Sequence, residues 1–396
     1  MEASSASSRV EPAEESTASA PHLGLSLLGL LLAAVVPLLL FNTYHFTHDR
    51  SRNFVARDFA VALLSSLDRN AILFTNGDND TFPLWYAQEV ENVRKDVRVV
   101  NLSLLNTPWY VHQIANLPPR VPLTLTSEQI DDLRAYRDST GQIVLPKDIA
   151  VASIIEASGG QRPVYFAFSV PDAQDYEGYT VREAFAYRVV TRRVTETEAV
   201  ALPKVRSDLA HLRIRGMLTP DGRLDPSVYR DDITYGFLQN GIAMAHFELG
   251  SQASRLGNTE EAIHEMLRAA DYAPQLPFFL LWAGRTMEGA GQKARAESLY
   301  KAAEERNPQA YEFPWRLGLL YLQTGRRDAG YAALRRAATM PNATFDPTRD
   351  LTSYLVQNGD MPHAVEAVTN WLAMHPEDTT AAKILSALNA TSGAPQ

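Results

Sequence analysis

The stretch AILFTNGDNDTFPLWYAQEVENVRKDVRVVNLSLLNTPWY, Ala71 to Tyr110, decides the fold class. Its opening AILFT is an apolar run of strand length, Thr81 to Arg94 carries helical spacing with Pro83 tolerated in the first turn, and Val97 to Leu105 reads as a second strand. Strand, helix, strand is a βαβ unit with parallel strands. Upstream, Arg52 to Leu67 has helical periodicity. Downstream, a helix near Asp148 to Ala157 precedes a third apolar strand, Arg162 to Val170. An α/β layered domain over residues 50–200 follows.

Between the first strand and its helix lies Asn76-Gly77-Asp78-Asn79-Asp80-Thr81. In open parallel sheets ligands bind beyond the carboxyl ends of the strands. Asn76, Asp78, Asn79 and Asp80 leave the first strand at that edge and Asn106 leaves the second, so these five are the candidate ligand-binding residues. The same residues also make a good turn: Asn-Gly supplies a position for positive φ, Asp80 or Thr81 supplies a helix cap, and the carboxylates favour the helix dipole. A metal loop is the third reading. It lacks the bidentate Glu of an EF-hand, so no metal and no cofactor are expected. The structural turn is the favoured reading. The chain has no P-loop, dinucleotide glycine fingerprint, H-E-x-x-H or G-x-S-x-G, so no catalytic residues are expected.

The C-terminal half repeats. Gly257, Gly291, Gly325 and Gly359 recur every 34 residues, each followed five residues on by a small residue (Ala262, Ala296, Gly330, Ala364), with Pro274, Pro308, Pro341 and Pro376 closing the units. This is the tetratricopeptide pattern, an all-α solenoid: four repeats over 243–378, a linker and packing helix over 201–242 before them, and a capping helix and tail over 379–396. The fifth position of each first helix, Phe247, Leu281, Trp315 and Arg349, is the candidate partner-binding row on the concave face.

At the other end, residues 1–22 are Ser-, Ala- and Glu-rich and read as a disordered tail. Leu23 to Phe41 is uncharged for 19 residues, enough at 1.5 Å per residue to nearly span a hydrocarbon core of roughly 30 Å. A single transmembrane helix over 23–41 is expected, in contact with the bilayer. A signal peptide is the alternative, disfavoured by the acidic flank and the lack of a small-x-small cleavage site. Arg50, Arg52 and Arg57 after the helix, against Arg9 before it, lean towards a cytoplasmic body. The 396 residues, 45% hydrophobic, can build real cores, and a net charge of −9 argues against nucleic acid as a partner. The chain has no cysteine, so disulfides and thiolate chemistry are excluded.

The run from His48 through Tyr110, with RPVYFAFSV and EAFAYRVV further on and the repeat tail, resembles the C-terminal soluble region of bacterial protein O-mannosyltransferase-like membrane proteins, glycosyltransferases of the GT-C type. The resemblance covers roughly 45–378. Members of that family carry many membrane helices and an acidic catalytic loop near the N-terminus, and this chain offers no positions onto which those catalytic residues map. The resemblance implies a periplasmic body on a bacterial inner membrane. The expected function is a non-catalytic scaffold or structural subunit whose partners are other membrane protein subunits; the alternative is an accessory subunit that binds glycan or acceptor peptide for a GT-C transferase.

Overall fold

The computed structural model describes residues 20–220 and 223–392. They fall into two compact units: residues up to Arg52 together with Ser227–Tyr229, and Asn53–Pro226 together with Arg230 onwards.

The first unit is built on α1, Ala20–His48. It begins inside the stretch expected to be a tail, whose first 19 residues lie outside the described residues, and it runs seven residues past Phe41. From Leu28 to His48 it is long and apolar enough to cross a bilayer, and none of those residues is buried. Its end is held by aromatic and polar contacts: Phe46 meets Tyr229 edge to face at 5.7 Å, Arg50 lies 4.8 Å over the same ring, and Arg52 donates to Ser227 Oγ at 3.2 Å.

The second unit opens with α2, Val55–Ser66, which buries Val55, Phe59, Ala60, Leu63 and Leu64. Then come β1 (Ile72–Thr75), α3 (Asp78–Glu89) and β2 (Arg98–Asn101), with β1 and β2 parallel and Ile72 level with Arg98. The helix begins at Asp78, three residues before the expected Thr81, and two further features depart from the sequence reading. The helix stops at Glu89, because Asn92 and Arg94 take positive φ (58° and 45°). That turn sends the Arg94 guanidinium to the carbonyls of Leu64, Leu67 and Asp68, capping the end of α2. The second strand stops at Asn101, whose Oδ1 accepts from the Leu104 N–H and whose own N–H donates to Tyr110 Oη, so a short 3₁₀ turn replaces its expected second half.

Next are α4 (Pro108–Asn116), α5 (Ser127–Asp131), a small hairpin of β3 (Tyr136–Arg137) and β4 (Ile143–Val144), α6 (Pro146–Ser158) and β5 (Val164–Ala167), which pairs parallel to β1. The sheet is then extended by a hairpin of β6 (Thr180–Glu183) and β7 (Ala186–Val189), antiparallel to each other and to β5, giving the order β2-β1-β5-β7-β6. The parallel strands are therefore as read, with two antiparallel ones added. All four residues of β1 and of β5 are buried, which is why both are continuous apolar runs.

Residues 201–242 hold α7 (Leu202–His211), α8 (Asp232–Gly236) and the start of a π-helical segment, Phe237–Ala243. Its Gly241 lets the segment approach α2: a Cβ there would lie 2.8 Å from Phe59 Cε2. Phe59 is the hub of this junction, with Phe168, Phe185 and Phe237 at ring-centroid distances of 5.2, 5.1 and 5.3 Å.

The array follows as antiparallel hairpins: α9 (Met244–Arg255) with α10 (Thr259–Tyr272), α11 (Pro277–Gly289) with α12 (Lys293–Arg306), α13 (Glu312–Gln323) with α14 (Arg327–Ala338), and α15 (Phe345–Gln357) with α16 (Met361–Met374). The last helix, α17 (Thr379–Ser392), covers the end, where Ala381 and Leu388 join the terminal core with Trp371. Each hairpin turns at a glycine with φ between 75° and 81°, and the next residue bonds back five positions, Asn258 to Ala253, Gln292 to Met287, Arg326 to Tyr321 and Asp360 to Leu355.

Candidate functional site

The β1–α3 turn is built from backbone outward. Gly77 is the N-cap of α3 in an extended conformation (φ −147°), so neither it nor Asn76 takes the positive φ expected of Asn-Gly. Asp80 sits at the third helical position and its carboxylate accepts the N–H groups of Asn76 (2.9 Å) and Gly77 (3.0 Å) and the hydroxyl of Ser169. It staples the turn to the end of β5. Thr81 is no cap: it is fully buried, with Oγ1 2.7 Å from Thr75 Oγ1 and accepting from Asn101 Nδ2 at 3.0 Å. Ser103 Oγ donates to the Asn76 carbonyl at 3.2 Å, so it is Asn101 and Ser103 that tie the second strand to this edge. Asn106 turns elsewhere, accepting from the Lys147 N–H at 3.3 Å and donating to the Ser103 carbonyl.

A pocket of about 510 Å³ opens at this edge, walled by Asn76, Asp78, Asn79 and Asp80 on one side and by Asp232, Phe237 and Asn240 on the other, with Phe168 and Ser169 from the end of β5 between them. Asn106 is not in its wall. Asp78, Asn79, Asp232 and Asn240 are exposed, and among the described residues their side chains have no hydrogen-bond or ion-pair partner. The pocket thus offers carboxylates and amides beside phenyl faces. Ser169 could have been found from the sequence, since it leaves a parallel strand at the same edge as Asn76; Asp232 and Asn240 fell in a stretch read as linker. Among the described residues no group of three or more His, Asp or Glu is placed to hold a metal ion.

The partner-binding row lies along the array but is partly filled by it. Phe247 packs on Phe278, Phe279 and Trp282 of the next hairpin at 4.8, 5.7 and 6.1 Å. Leu281 is half-buried. Trp315 Nε1 donates to Asp350 at 2.8 Å, and Arg349, half exposed, pairs with Asp346 at 2.7 Å and approaches Asp350 at 3.6 Å. Adjacent hairpins therefore share Asp350. Deeper in the array, Tyr300 donates to Glu288 at 2.6 Å and Glu288 pairs with Arg316 at 2.8 Å; burial, then Glu288 itself, pushes the Tyr300 hydroxyl pKa up.

The α/β domain and the array meet along a polar seam. Arg182, almost fully buried in β6, lies 3.2 Å from Glu248 of α9 and 4.6 Å over the Tyr187 ring. Gln252, with no exposed surface, donates to the Thr197 carbonyl at 3.1 Å, and Arg206 of α7 bonds Glu261 of α10 at 2.8 Å.

Residues 56–135, which hold α2, the βαβ unit, α4 and α5, match the family described as TMEM260-associated domain 2. This part of the chain resembles that domain. No curated protein sequence matches the chain. Solved structures similar to part of it include that of MamA protein (19% identity, 40% of this chain and 84% of that one, TM-score 0.30) and of TTC0263, a thermophilic TPR protein in Thermus thermophilus (18% identity, 40% and 89%, TM-score 0.30). MamA 41-end from Desulfovibrio magneticus RS-1 is similar at 17% identity, 38% and 85% coverage and a TM-score of 0.29. The tetratricopeptide-like character of residues 243–378 stands on the hairpins themselves, with their repeated turn glycines and close helix crossings.

Proposed function

We propose that the chain is a non-catalytic, single-pass membrane scaffold, anchored by α1 in a bacterial inner membrane with its body in the periplasm, that holds other membrane protein subunits on its α/β domain and helical array. The observation that carries this reading is the fusion of a protein-binding type of array to the α/β domain through Arg182–Glu248, Gln252–Thr197 and Arg206–Glu261, in a chain that also carries an apolar helix of spanning length. Mild-detergent purification from native membranes tests it: the chain should elute with integral membrane partners in fixed ratio, and Phe247→Ala with Trp282→Ala should weaken that association. Recovery of the chain alone from native membranes overturns the reading. Side is tested separately. The sequence has no cysteine, so Ser139→Cys, at an exposed position, should react with an impermeant maleimide in intact spheroplasts if the body is periplasmic.

A second reading is supported by the pocket and by the match over residues 56–135: an accessory subunit that binds glycan or acceptor peptide for a separate GT-C transferase, through Asn76, Asp78, Asn79, Asp80, Asp232 and Asn240. Its mark is binding of an oligosaccharide or acceptor peptide that is lost in Asp78→Ala with Asp232→Ala while the fold is retained. The same binding in that variant removes this reading.

A further inference from the structure

Ser227–Tyr229 are far from α1 in sequence, yet they belong to the same compact unit, and neither reading above uses them. Val228 is buried, and both of its neighbours engage the end of the apolar helix. The Tyr229 ring meets that of Phe46 edge to face at 5.7 Å, and the Arg50 guanidinium lies 4.8 Å from its centroid. Ser227 Oγ accepts from Arg52 at 3.2 Å.

These contacts fix a depth. Leu28–His48 is 21 residues, roughly 31 Å at 1.5 Å each, against a hydrocarbon core of roughly 30 Å in a bilayer of roughly 40–45 Å. With His48 at the hydrocarbon boundary, Phe46 lies about 3 Å inside it. With the boundary instead at Phe41, where the apolar run gives way to Asn42 and Thr43, Phe46 lies about 7.5 Å beyond it. The same dimensions make each headgroup layer roughly 5–7.5 Å thick, so that is its outer limit. A helical side chain also leans back over the preceding turn, here towards the bilayer, which carries the Phe46 ring deeper than its Cα. Both placements leave this ring at or within the headgroup layer, and Tyr229, packed on it, shares its level. The composition of the helix end agrees: Phe41, Tyr44 and Phe46 are about half exposed or more, and aromatic rings concentrate at membrane interfaces, where the face is apolar and a hydroxyl is wet.

We infer that Ser227–Tyr229 is a second membrane contact, with Tyr229 held in the lipid headgroup layer beside Phe46. The inference rests on the reading of α1 as a spanning helix. Its occupant is lipid by continuity: α1 presents exposed apolar residues from Leu28 up to Phe46 itself, so the bilayer that covers them reaches the ring on which Tyr229 packs. Arg50 and Arg52 suit the same layer, since long cationic side chains at helix ends carry their charge to the headgroups. Arg50 donates to the Thr47 carbonyl at 2.7 Å, which keeps its guanidinium at the end of the helix.

Because the chain has no cysteine, single labels read depth directly. The full chain is placed in phosphatidylcholine nanodiscs as Val36→Cys, Ser139→Cys or Ser227→Cys, each carrying a small fluorophore, and quenching is measured with lipids that bear a nitroxide on the acyl chain or on the headgroup. Val36, an exposed residue of α1, reports the anchor through the acyl-chain quencher, and Ser139, exposed in the β3–β4 hairpin, is the reference. The headgroup quencher should act several-fold more strongly at Ser227→Cys than at Ser139→Cys. Adding Tyr229→Ala to Ser227→Cys should bring quenching down to the reference level, and Tyr229→Phe, which keeps the ring, should retain most of it. Pro226→Cys, at an exposed position next to Ser227, repeats the measurement with the Arg52–Ser227 bond intact. Quenching at Val36→Cys with only reference quenching at both loop positions overturns this inference and leaves the anchor standing. No quenching at Val36→Cys removes the anchor reading and this inference with it. Loop quenching that survives Tyr229→Ala overturns the part given to Tyr229.

Discussion

Gly284→Ala should unlock the middle of the array, although alanine is the better helix former. A Cβ at Gly284 of α11 would lie 2.2 Å from Tyr300 Cε1 and 2.4 Å from Cζ, where carbon atoms settle at about 3.5–4.0 Å. Tyr300 has no exposed surface, so the ring has no solvent to swing into. It must move by more than an ångström inside a packed crossing, and its 2.6 Å hydrogen bond to Glu288 goes with it. Overpacking a core typically costs about 1–3 kcal/mol and a hydrogen bond to a charged group is worth about 1.5–3 kcal/mol, while alanine returns roughly 1 kcal/mol of helix propensity. The net loss expected is roughly 1.5–5 kcal/mol. Urea denaturation followed by circular dichroism, on wild type and variant in the same detergent, measures it. Gly289→Ala, one and a half turns further along the same helix and with nothing near its would-be Cβ, should be neutral or stabilise by up to about 1 kcal/mol. An unchanged or raised midpoint for Gly284→Ala would refute the argument that these glycines exist for the crossing.

Asp80→Ala strands the N–H groups of Asn76 and Gly77 and should lower stability by about 0.5–2 kcal/mol, whereas Asp78→Asn should leave the denaturation midpoint where it is. Asp58 is buried in α2 and takes bonds from Arg215 (2.7–3.1 Å) and Arg57; burial opposes its ionisation, but these partners outweigh it and hold its pKa below the usual carboxylate range. Its contribution is therefore present above the unfolded value of about 3.9 and lost as pH falls through the depressed one, and Asp58→Asn should cost about 1.5–3 kcal/mol at pH 7 and less at pH 3 by denaturation midpoint. Glu183 has the opposite sign: burial raises its pKa, with Lys204 and Arg188 only partly offsetting it. Its stabilisation is complete below the unfolded value of about 4.3 and lost as pH rises through the folded one, so Glu183→Gln should gain on wild type as pH rises above that unfolded value.

What could be read from the sequence was whatever rests on periodicity. The array was legible because a turn glycine and a close crossing recur every 34 positions, and the βαβ unit because both its strands are buried runs. Ends were less legible. The fate of α3 after Glu89 depends on Arg94 reaching carbonyls some 30 residues back, and the end of β2 depends on the Asn101 side chain and a tyrosine hydroxyl nine residues on. Such long-range hydrogen bonds leave no periodic mark. The same holds for the site: Asn76 to Asp80 stood out as a run, but the facing wall, Asp232 and Asn240, belongs to a π-helical segment and its lead-in, seated by the close approach of Gly241 to Phe59 and by Phe237 on Phe59 and Phe168. Asn106 was placed by sequence order at the strand edge, and its hydrogen bond to the start of α6 draws it away.

The seam at Arg182, Gln252 and Arg206 gives the array a polarity in how it can change over generations. The first hairpin is welded to the α/β domain by buried polar partners that are costly to strand, so a repeat inserted or deleted there would leave Arg182 and Gln252 facing the wrong helix. The far end is tied more lightly, by Trp371 Nε1 donating to Asp378 at 2.9 Å and by Asp378 accepting the Thr380 and Ala381 N–H groups at the start of α17. Beyond α16 the core is closed by Ala381 and Leu388 of α17, which pack with Trp371 and Val368, an apolar cover of the kind a further hairpin also presents. A repeat gained or lost on the C-terminal side would leave the Arg182–Glu248 and Gln252–Thr197 contacts in place, so the reach of the array can change while its junction stays as it is.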